Sequence, residues 1–575
     1  MNFFDLCTYF ERLESTSSRL NMMEILAELF KGLDDKQEVD KIIYLSQGRL
    51  SPAFENIEFG MSEKLIARAI IEISGKDKKE VLKIFQHLGD QGLTIEKLIF
   101  HKSGSLKVSE VYARLEEIAR VSGEGAVAGK IDGVVKLLKM SSSLEAKYIV
   151  RIILGRLRLG VGDPTILDSL SCAYTGTKSI RVDLERSYNL CSDLGLVAKT
   201  LFIKGKTAID KFKVDVGRPI RVALAERLSS PVEIIEKIGR CAVEGKYDGF
   251  RCQVHKDETQ VKIFSRNLED NTGMFPEITE SMGRQIQEKR VILEGEAICQ
   301  DLDTGEFLPF QITVQRKRKY GISDMRRIYP LSLLVFDLLY VDGVDFTKES
   351  YTERRKKLKQ MIKKGDVLQV AEAAIVERAE ELEKFFDEAI SKGLEGIVAK
   401  RLDAPYQAGG RNYTWIKLKR SYQAKLTDTI DCVLVGYLIG KGQRARLGLG
   451  SVLAAVYDQK EDRFKTIAKI GTGFSEEESM QLKKLMDDFK LNDKPKELDS
   501  LIDMDVWVEP KYVVEIQADE ISKSPVHTCG KIKDGTGYAL RFPRMVSFIR
   551  KDKTPYDATS VREIIKMYKG QKIKK

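Results

Sequence analysis

The residues best able to do chemistry stand together in Glu244-Gly245-Lys246-Tyr247-Asp248-Gly249-Phe250-Arg251. A lysine amine is a nucleophile only when neutral, and its ordinary pKa is ~10.4. A working nucleophilic lysine therefore needs neighbours that favour loss of its proton. Glu244 lies two residues before Lys246, so on a strand both side chains would share one face. Arg251 offers a fixed fork of donors suited to oxygen-rich ligands. Taken alone, Lys-x-Asp-Gly is a weak signal, since the same letters make an Asp-Gly turn beside a surface lysine.

Its companions carry more weight. Downstream come Ser265-Arg266-Asn267, Leu293-Glu294-Gly295-Glu296-Ala297 and Leu334-Val335-Phe336-Asp337. They are followed by Glu395-Gly396-Ile397-Val398-Ala399-Lys400, by Arg411, and by Trp415-Ile416-Lys417-Leu418-Lys419. This ordered set resembles the motifs of covalent nucleotidyltransferases, specifically the ATP-dependent DNA ligases. Glu269-Asp270-Asn271-Thr272-Gly273 brings it closer to the replicative enzymes of archaea and eukaryotes, and the resemblance covers essentially the whole chain.

The resemblance implies that Lys246 attacks the α-phosphorus of ATP to form a lysyl-AMP, with Lys417, Lys419 and a metal ion helping it lose its proton. It implies Glu244 at the adenine amino group, Arg251 and Arg266 at ribose hydroxyls and phosphate, and Phe336 stacked on the purine. Glu296 would contact the ribose and Glu395 would position Mg2+, though the two carboxylates could share the ion. Arg411 and Lys417 would meet the α-phosphate as pyrophosphate leaves. Magnesium would arrive with ATP, held by one or two carboxylates and phosphate oxygens. AMP would then pass to a DNA 5′-phosphate, and the adjacent 3′-hydroxyl would close the nick, in replication, repair and recombination.

The elements that must position these residues change character along the chain. Through about residue 215 the apolar spacing is helical, as in Leu65, Ile66, Ala69, Ile70 and Ile73, bracketed by Ser62 and Gly75. Val81, Ile84, Phe85 and Leu88 repeat it before Gly89. From about 220 the period shortens, and Asp257-Glu258 between two alternating runs predicts a hairpin. Strands are predicted at 291–299, 331–340 and 394–400, with helices at 352–364 and 380–392, the second ending at Gly393. After about 423, short strands at 430–437, 451–457 and 512–517 alternate with Gly-rich turns, and the chain closes on a helix-like stretch and a basic tail, Lys566–Lys575. We therefore expect three domains: an all-α DNA-binding domain at 1–215, an α+β nucleotidyltransferase (adenylation) domain at 216–422, and an OB-fold β-barrel at 423–575.

Two flanking regions, one in each outer part of the chain, suit a DNA substrate. Leu540-Arg541-Phe542-Pro543-Arg544 and Arg550-Lys551-Asp552-Lys553 resemble the family's last motif, which orients pyrophosphate. Gly155-Arg156-Leu157-Arg158-Leu159-Gly160-Val161-Gly162-Asp163 pairs arginines with glycines that let backbone approach phosphate, and resembles the stretch before DNA-contacting helices. Arg316-Lys317-Arg318-Lys319 reads equally as phosphate contact or solvated loop.

Composition agrees with this picture and closes off others. The 575 residues are 43% hydrophobic and 32% charged, which argues against a mainly disordered chain. Lys and Arg number 96 against 86 Asp and Glu, a net +10 that favours an anionic partner, here nicked duplex DNA. Only four histidines argue against histidine metal sites and relays. The eight cysteines include no Cys-x-x-Cys pair, so neither a zinc ribbon nor the zinc cluster of NAD-dependent ligases is expected. No signal peptide and no run of ~20 apolar residues is visible, so a cytoplasmic protein is expected; no long N-terminal extension is seen, so the resemblance points to an archaeal-type enzyme, expected as a monomer. A sliding clamp is a partner the resemblance leaves open, without a convincing glutamine-and-aromatic docking motif. Two other readings stand beside this one: RNA ligation or GTP-dependent capping, and a DNA-binding protein with a dead nucleotidyltransferase fold.

Overall fold

The computed structural model describes residues 1–99, 106–299, 307, 313, 316, 321–392, 394–419, 429–440, 447–471, 474–531, 535–550 and 553–573. The chain divides into two compact units, Met1–Leu418 and Lys419–Lys575.

The first part of the larger unit is built from helices, as the periodicity requires. The helix Glu63–Ser74 buries Ile66, Ala67, Ala69 and Ile70 and stops where Gly75 turns left-handed at φ 64°. The next, Lys78–Leu88, is capped by the Asp77 side chain on Lys79 N–H and stops at Gly89, φ 65°. These helices share one apolar core running from Phe3 to Ile209.

The second part of this unit holds two sheets. Its strands are β1 (Leu224–Arg227), β2 (Cys241–Lys246), β3 (Phe250–Asp257), β4 (Gln260–Ser265), β5 (Arg290–Cys299) and β6 (Leu331–Val341). They continue with β7 (Val344–Asp345), β8 (Leu368–Val370), β9 (Ala373–Val376), β10 (Gly396–Arg401) and β11 (Arg411–Lys419). One sheet runs β1-β11-β10-β2-β9 and the other β4-β3-β5-β6-β7, with β8 beside β6. The expected hairpin is β3–β4, pairing Asp257 with Gln260 around a left-handed Glu258. The helices predicted between strands are Tyr351–Met361 and Ala379–Ser391. Gly393, the expected stop of the latter, lies outside the described residues.

The connection near residue 215 is tied to both parts. Leu190 of the helical part packs with Val214, Val216, Ile220, Ala223, Tyr406 and Trp415. Alternate residues of β3 hold the same segment: Gly217 N–H donates to His255 Nδ1 (3.0 Å), Ile220 N–H to Gln253 Oε1 (2.7 Å), and Arg251 Nη1 to the Ala223 carbonyl (2.8 Å). Buried His255 is held neutral, its pKa pushed down to about 3 by burial and by Lys262.

The smaller unit is a curled β-sheet. Strands Ile430–Leu438, Ser451–Asp458 and Arg463–Ile470 pair in antiparallel succession, and Ile430–Leu438 also pairs with Val506–Val508 and Val513–Gln517. A helix, Val561–Ile573, takes in much of the basic tail. Its Val561 and Ile564 pack into the sheet's core, and Lys574 and Lys575 lie outside the described residues. Among the described residues no helix is long and apolar enough to cross a membrane. All eight cysteines are free thiols, buried except for half-buried Cys172.

Candidate active site

Lys246 ends β2, opposite Gly396 at the start of β10, and its carbonyl accepts the Glu395 N–H at 3.0 Å. This antiparallel pairing brings two distant motifs together. Lys246 Nζ is ion-paired with the Glu395 carboxylate, and both side chains are about a quarter exposed, so the pair is reachable from solvent.

Glu296 reaches the same place from the other sheet. It sits on β5 opposite Arg251 of β3. Its carboxyl accepts the Gly249 N–H and feels the charges of Lys246, Arg251 and Asp248. Burial pushes its pKa up to about 7, although Lys246 and Arg251 pull the other way. Gly249 makes this approach possible: a Cβ there would lie 2.3 Å from the Ala297 carbonyl oxygen and 3.2 Å from Glu296 Cγ. Two carboxylates, Glu296 on β5 and Glu395 just ahead of β10, thus flank one lysine. Such a donor set suits Mg2+, which keeps waters and phosphate oxygens as its other ligands. Among the described residues no group of three or more His, Cys, Asp or Glu could hold a metal by itself.

Arg251 is pinned. Its Nη2 donates to Glu294 at 2.8 Å, and Glu294 is fully buried. Burial alone would lower the Arg251 pKa, but Glu294 and Tyr406 outweigh it and the guanidinium stays charged. Among the described residues, its Nε is buried without a hydrogen-bond partner. The guanidinium lies 5.4 Å from the ring centre of Phe336 and 5.5 Å from that of Trp415. Phe336 is half-buried and meets Trp415 edge to face at 6.0 Å. The Lys400 ammonium stands 4.8 Å from the Phe336 ring.

Glu244, by contrast with Lys246, is 2% exposed. Tyr351 and Arg355 of the helix Tyr351–Met361, together with Lys400 of β10, surround its carboxylate. Lys417 and Lys419 alternate along β11, and Arg411 opens that strand opposite Leu224 of β1. The Arg411 side chain lies outside the described residues. Arg266 follows β4 and lines a cavity of about 420 Å3 whose wall includes Arg49, Asp163, Tyr188 and Arg221. This cavity joins the helical part to the sheets.

The flanking motifs are also placed. Arg156 is paired with Glu63, and Arg158, left-handed at φ 62°, with Asp90 at 2.7 Å. In the smaller unit, Arg550 and Lys553 both reach Asp431, at 3.4 and 2.5 Å, while Lys551 lies outside the described residues. The reading of Arg316 as phosphate contact or solvated loop is corrected: it is 1% exposed and paired with Glu277. A buried guanidinium needs a carboxylate, and the helix Pro276–Gln285 supplies one. Lys317, Arg318 and Lys319 lie outside the described residues.

The sequence reading missed Lys400, Tyr351, Arg355 and Glu294. Lys400 and Glu294 stand inside the Glu395–Lys400 and Leu293–Ala297 motifs, and strand alternation with Val398 and with Glu296 could have aimed them inward. Tyr351 and Arg355 carry no local signal.

Known proteins supply an independent comparison. Residues 222–419 match the family described as "ATP dependent DNA ligase domain", 2–171 match "DNA ligase N terminus", and 445–553 match "ATP dependent DNA ligase C terminal region". The chain is 54% identical to the "Probable DNA ligase" of Dictyoglomus turgidum, covering 100% of this chain and 99% of that one. It is 43% identical to the "DNA ligase" of Sulfurisphaera tokodaii, covering 100% and 98%. A solved structure named Pmar-Lig_Pre shares the fold, with a TM-score of 0.56 at 18% identity over 95% of this chain and 99% of that one.

Proposed function

The chain belongs to the ATP-dependent DNA ligases, which use ATP to seal nicks in DNA during replication and repair, and from that premise we propose how its residues divide the reaction. Lys246 is the nucleophile. Glu395 holds its ammonium in place by an ion pair. With ATP bound, neutral Lys246 Nζ forms a bond to the α-phosphorus and pyrophosphate leaves. A DNA 5′-phosphate oxygen then takes the AMP, restoring the lysine. Attack by the neighbouring 3′-hydroxyl closes the backbone and expels AMP.

Each neighbour has a task that fits its surroundings. Glu244 selects the base. Arg251, immobilised by Glu294 and the Ala223 carbonyl, meets the ribose, and Phe336 lies against the purine. Arg266 would meet ribose or phosphate. Arg411, Lys417 and Lys419 of β11 balance charge on the phosphates as pyrophosphate departs. Glu296 and Glu395 would hold Mg2+, which supplies neutralisation of phosphate charge when bound. The cation-bearing motifs of the helical part and the smaller unit provide phosphate contacts to nicked duplex DNA. A sliding clamp is a further candidate partner, and a monomer is the working state.

The observation that carries this reading is the meeting of Lys246, Glu395 and Glu296, contributed by three separate motifs at the ends of β2 and β10 and on β5. A nick-sealing assay comparing ATP, GTP and NAD tests it. Joining of nicked DNA with ATP is expected, and joining confined to RNA ends would overturn it.

A further inference from the structure

Glu244 is surrounded by donors. Its Oε1 accepts from Tyr351 Oη at 2.5 Å and from Arg355 Nη1 at 3.2 Å, and its Oε2 faces Lys400 Nζ at 2.7 Å. These donors are themselves fixed. Lys400 also donates to the Phe336 carbonyl at 3.2 Å and lies 4.2 Å from the Trp415 ring centre. Arg355 Nη2 donates to the Ala371 carbonyl at 2.6 Å. Tyr351 and Arg355 stand one turn apart on a helix whose first turn is capped by Ser350 on Glu353 N–H.

A carboxylate oxygen offers two lone pairs. Oε1 has both engaged, by the phenol and the guanidinium. Among the described residues, Oε2 has one engaged by the ammonium and one left. The carboxylate is therefore held in a single rotation, with Oε2 as the oxygen able to receive another hydrogen. Such a group accepts an exocyclic amino group and repels a carbonyl oxygen at the same position of a purine.

We propose that Tyr351 and Arg355 are positioning residues for base choice, which lock Glu244 so that Oε2 receives the amino group of adenine and rejects 6-oxopurines. This rests on the reading that Glu244 faces the base. Freed from these two donors, the carboxylate can turn and discrimination falls. A site built around a substrate N–H can reject an analogue lacking it by ~10⁴-fold or more, so a misaimed acceptor has much to lose.

The test measures kcat/KM for labelling of the chain by α-labelled ATP and ITP. The proteins are wild type, Tyr351→Phe, Arg355→Met, Arg355→Lys and Glu244→Ala. The ATP-to-ITP ratio is expected to fall about tenfold or more in Tyr351→Phe and Arg355→Met, with partial recovery in Arg355→Lys. Tyr351→Phe removes one oxygen and keeps the ring, so it preserves the packing. Equal losses for both nucleotides, or an unchanged ratio, would overturn the proposal. If Glu244→Ala collapses the ratio while the Tyr351 and Arg355 variants keep it, only the positioning role fails. If Glu244→Ala also keeps it, the reading of Glu244 fails as well.

Discussion

Replacing Gly249 with alanine tests whether the turn after Lys246 sets the active-site geometry. The added carbon would lie 2.3 Å from the Ala297 carbonyl oxygen, a backbone atom of β5, where real contacts essentially never fall below 3.0 Å. Strand β5 or the turn must therefore shift by about 1 Å, and with it the Glu296 carboxylate that the Gly249 N–H contacts. A displacement of ~1 Å in a reacting constellation lowers rates ~100-fold, while overpacking of this kind destabilises by ~1–3 kcal/mol. Single-turnover lysyl-AMP formation at saturating ATP should fall about 100-fold in Gly249→Ala, in a protein that still unfolds cooperatively in urea. Gly245→Ala is the control. Its added carbon meets Leu394 Cδ1 at 2.6 Å, the end of a side chain that can turn away, so its loss of rate should be far smaller. A Gly249→Ala enzyme within threefold of wild type, or a Gly245→Ala enzyme equally damaged, would refute the reasoning.

Glu296 gives a stability test with a defined sign. Its folded pKa is raised from 4.5 to about 7, so below 4.5 both states are protonated and nothing is lost. Between those values only the unfolded chain gives up the proton, and wild type loses stability as pH rises. Glu296→Gln should therefore be more stable than wild type at pH 8, by at most about 3 kcal/mol, and near parity at pH 4.5, as read by urea unfolding. Equal stability at pH 8 would contradict this. Because a proton competes with metal for Glu296, the Mg2+ concentration needed for half-maximal adenylation should rise about fivefold from pH 7 to pH 6 and level off above pH 8. A flat Mg2+ requirement would exclude Glu296 as a ligand. Asp337→Ala should destabilise the larger unit by ~3–5 kcal/mol, because it leaves Arg354 buried without its carboxylate. The two side chains are each 1% exposed and bonded at 2.7 and 3.1 Å; a loss under ~1 kcal/mol in urea titration would be inconsistent with a tight buried pair.

The candidate site was legible in part, because Lys246, Glu296 and Glu395 lie in motifs whose order and strand positions could be read. Lys246 and Glu395 come together through the antiparallel register of β2 and β10; the strand predicted at 394–400 was legible, but its pairing with β2 was not. The helical part was legible for a simpler reason. Its stops at Gly75 and Gly89 use the left-handed conformation that glycine adopts without strain. The residues around Glu244 were hidden, since Tyr351 and Arg355 on a helix look like any half-exposed face until tertiary packing turns them inward. Arg316 shows the opposite error. A run of four cations reads as surface, but one of them pairs with Glu277, 39 residues upstream, and is buried. The Arg266 cavity, walled partly by Arg49 and Tyr188, likewise depends on how two parts of the chain meet.

The central claim is that Lys246 carries the nucleotide between ATP and DNA. It is tested most directly by incubating the protein with α-labelled ATP and Mg2+, digesting it, and locating the label by mass spectrometry. The account predicts one AMP on the peptide containing Lys246, discharged by adding nicked DNA and absent from Lys246→Ala. Label on another residue, or label that persists in Lys246→Ala, would contradict it.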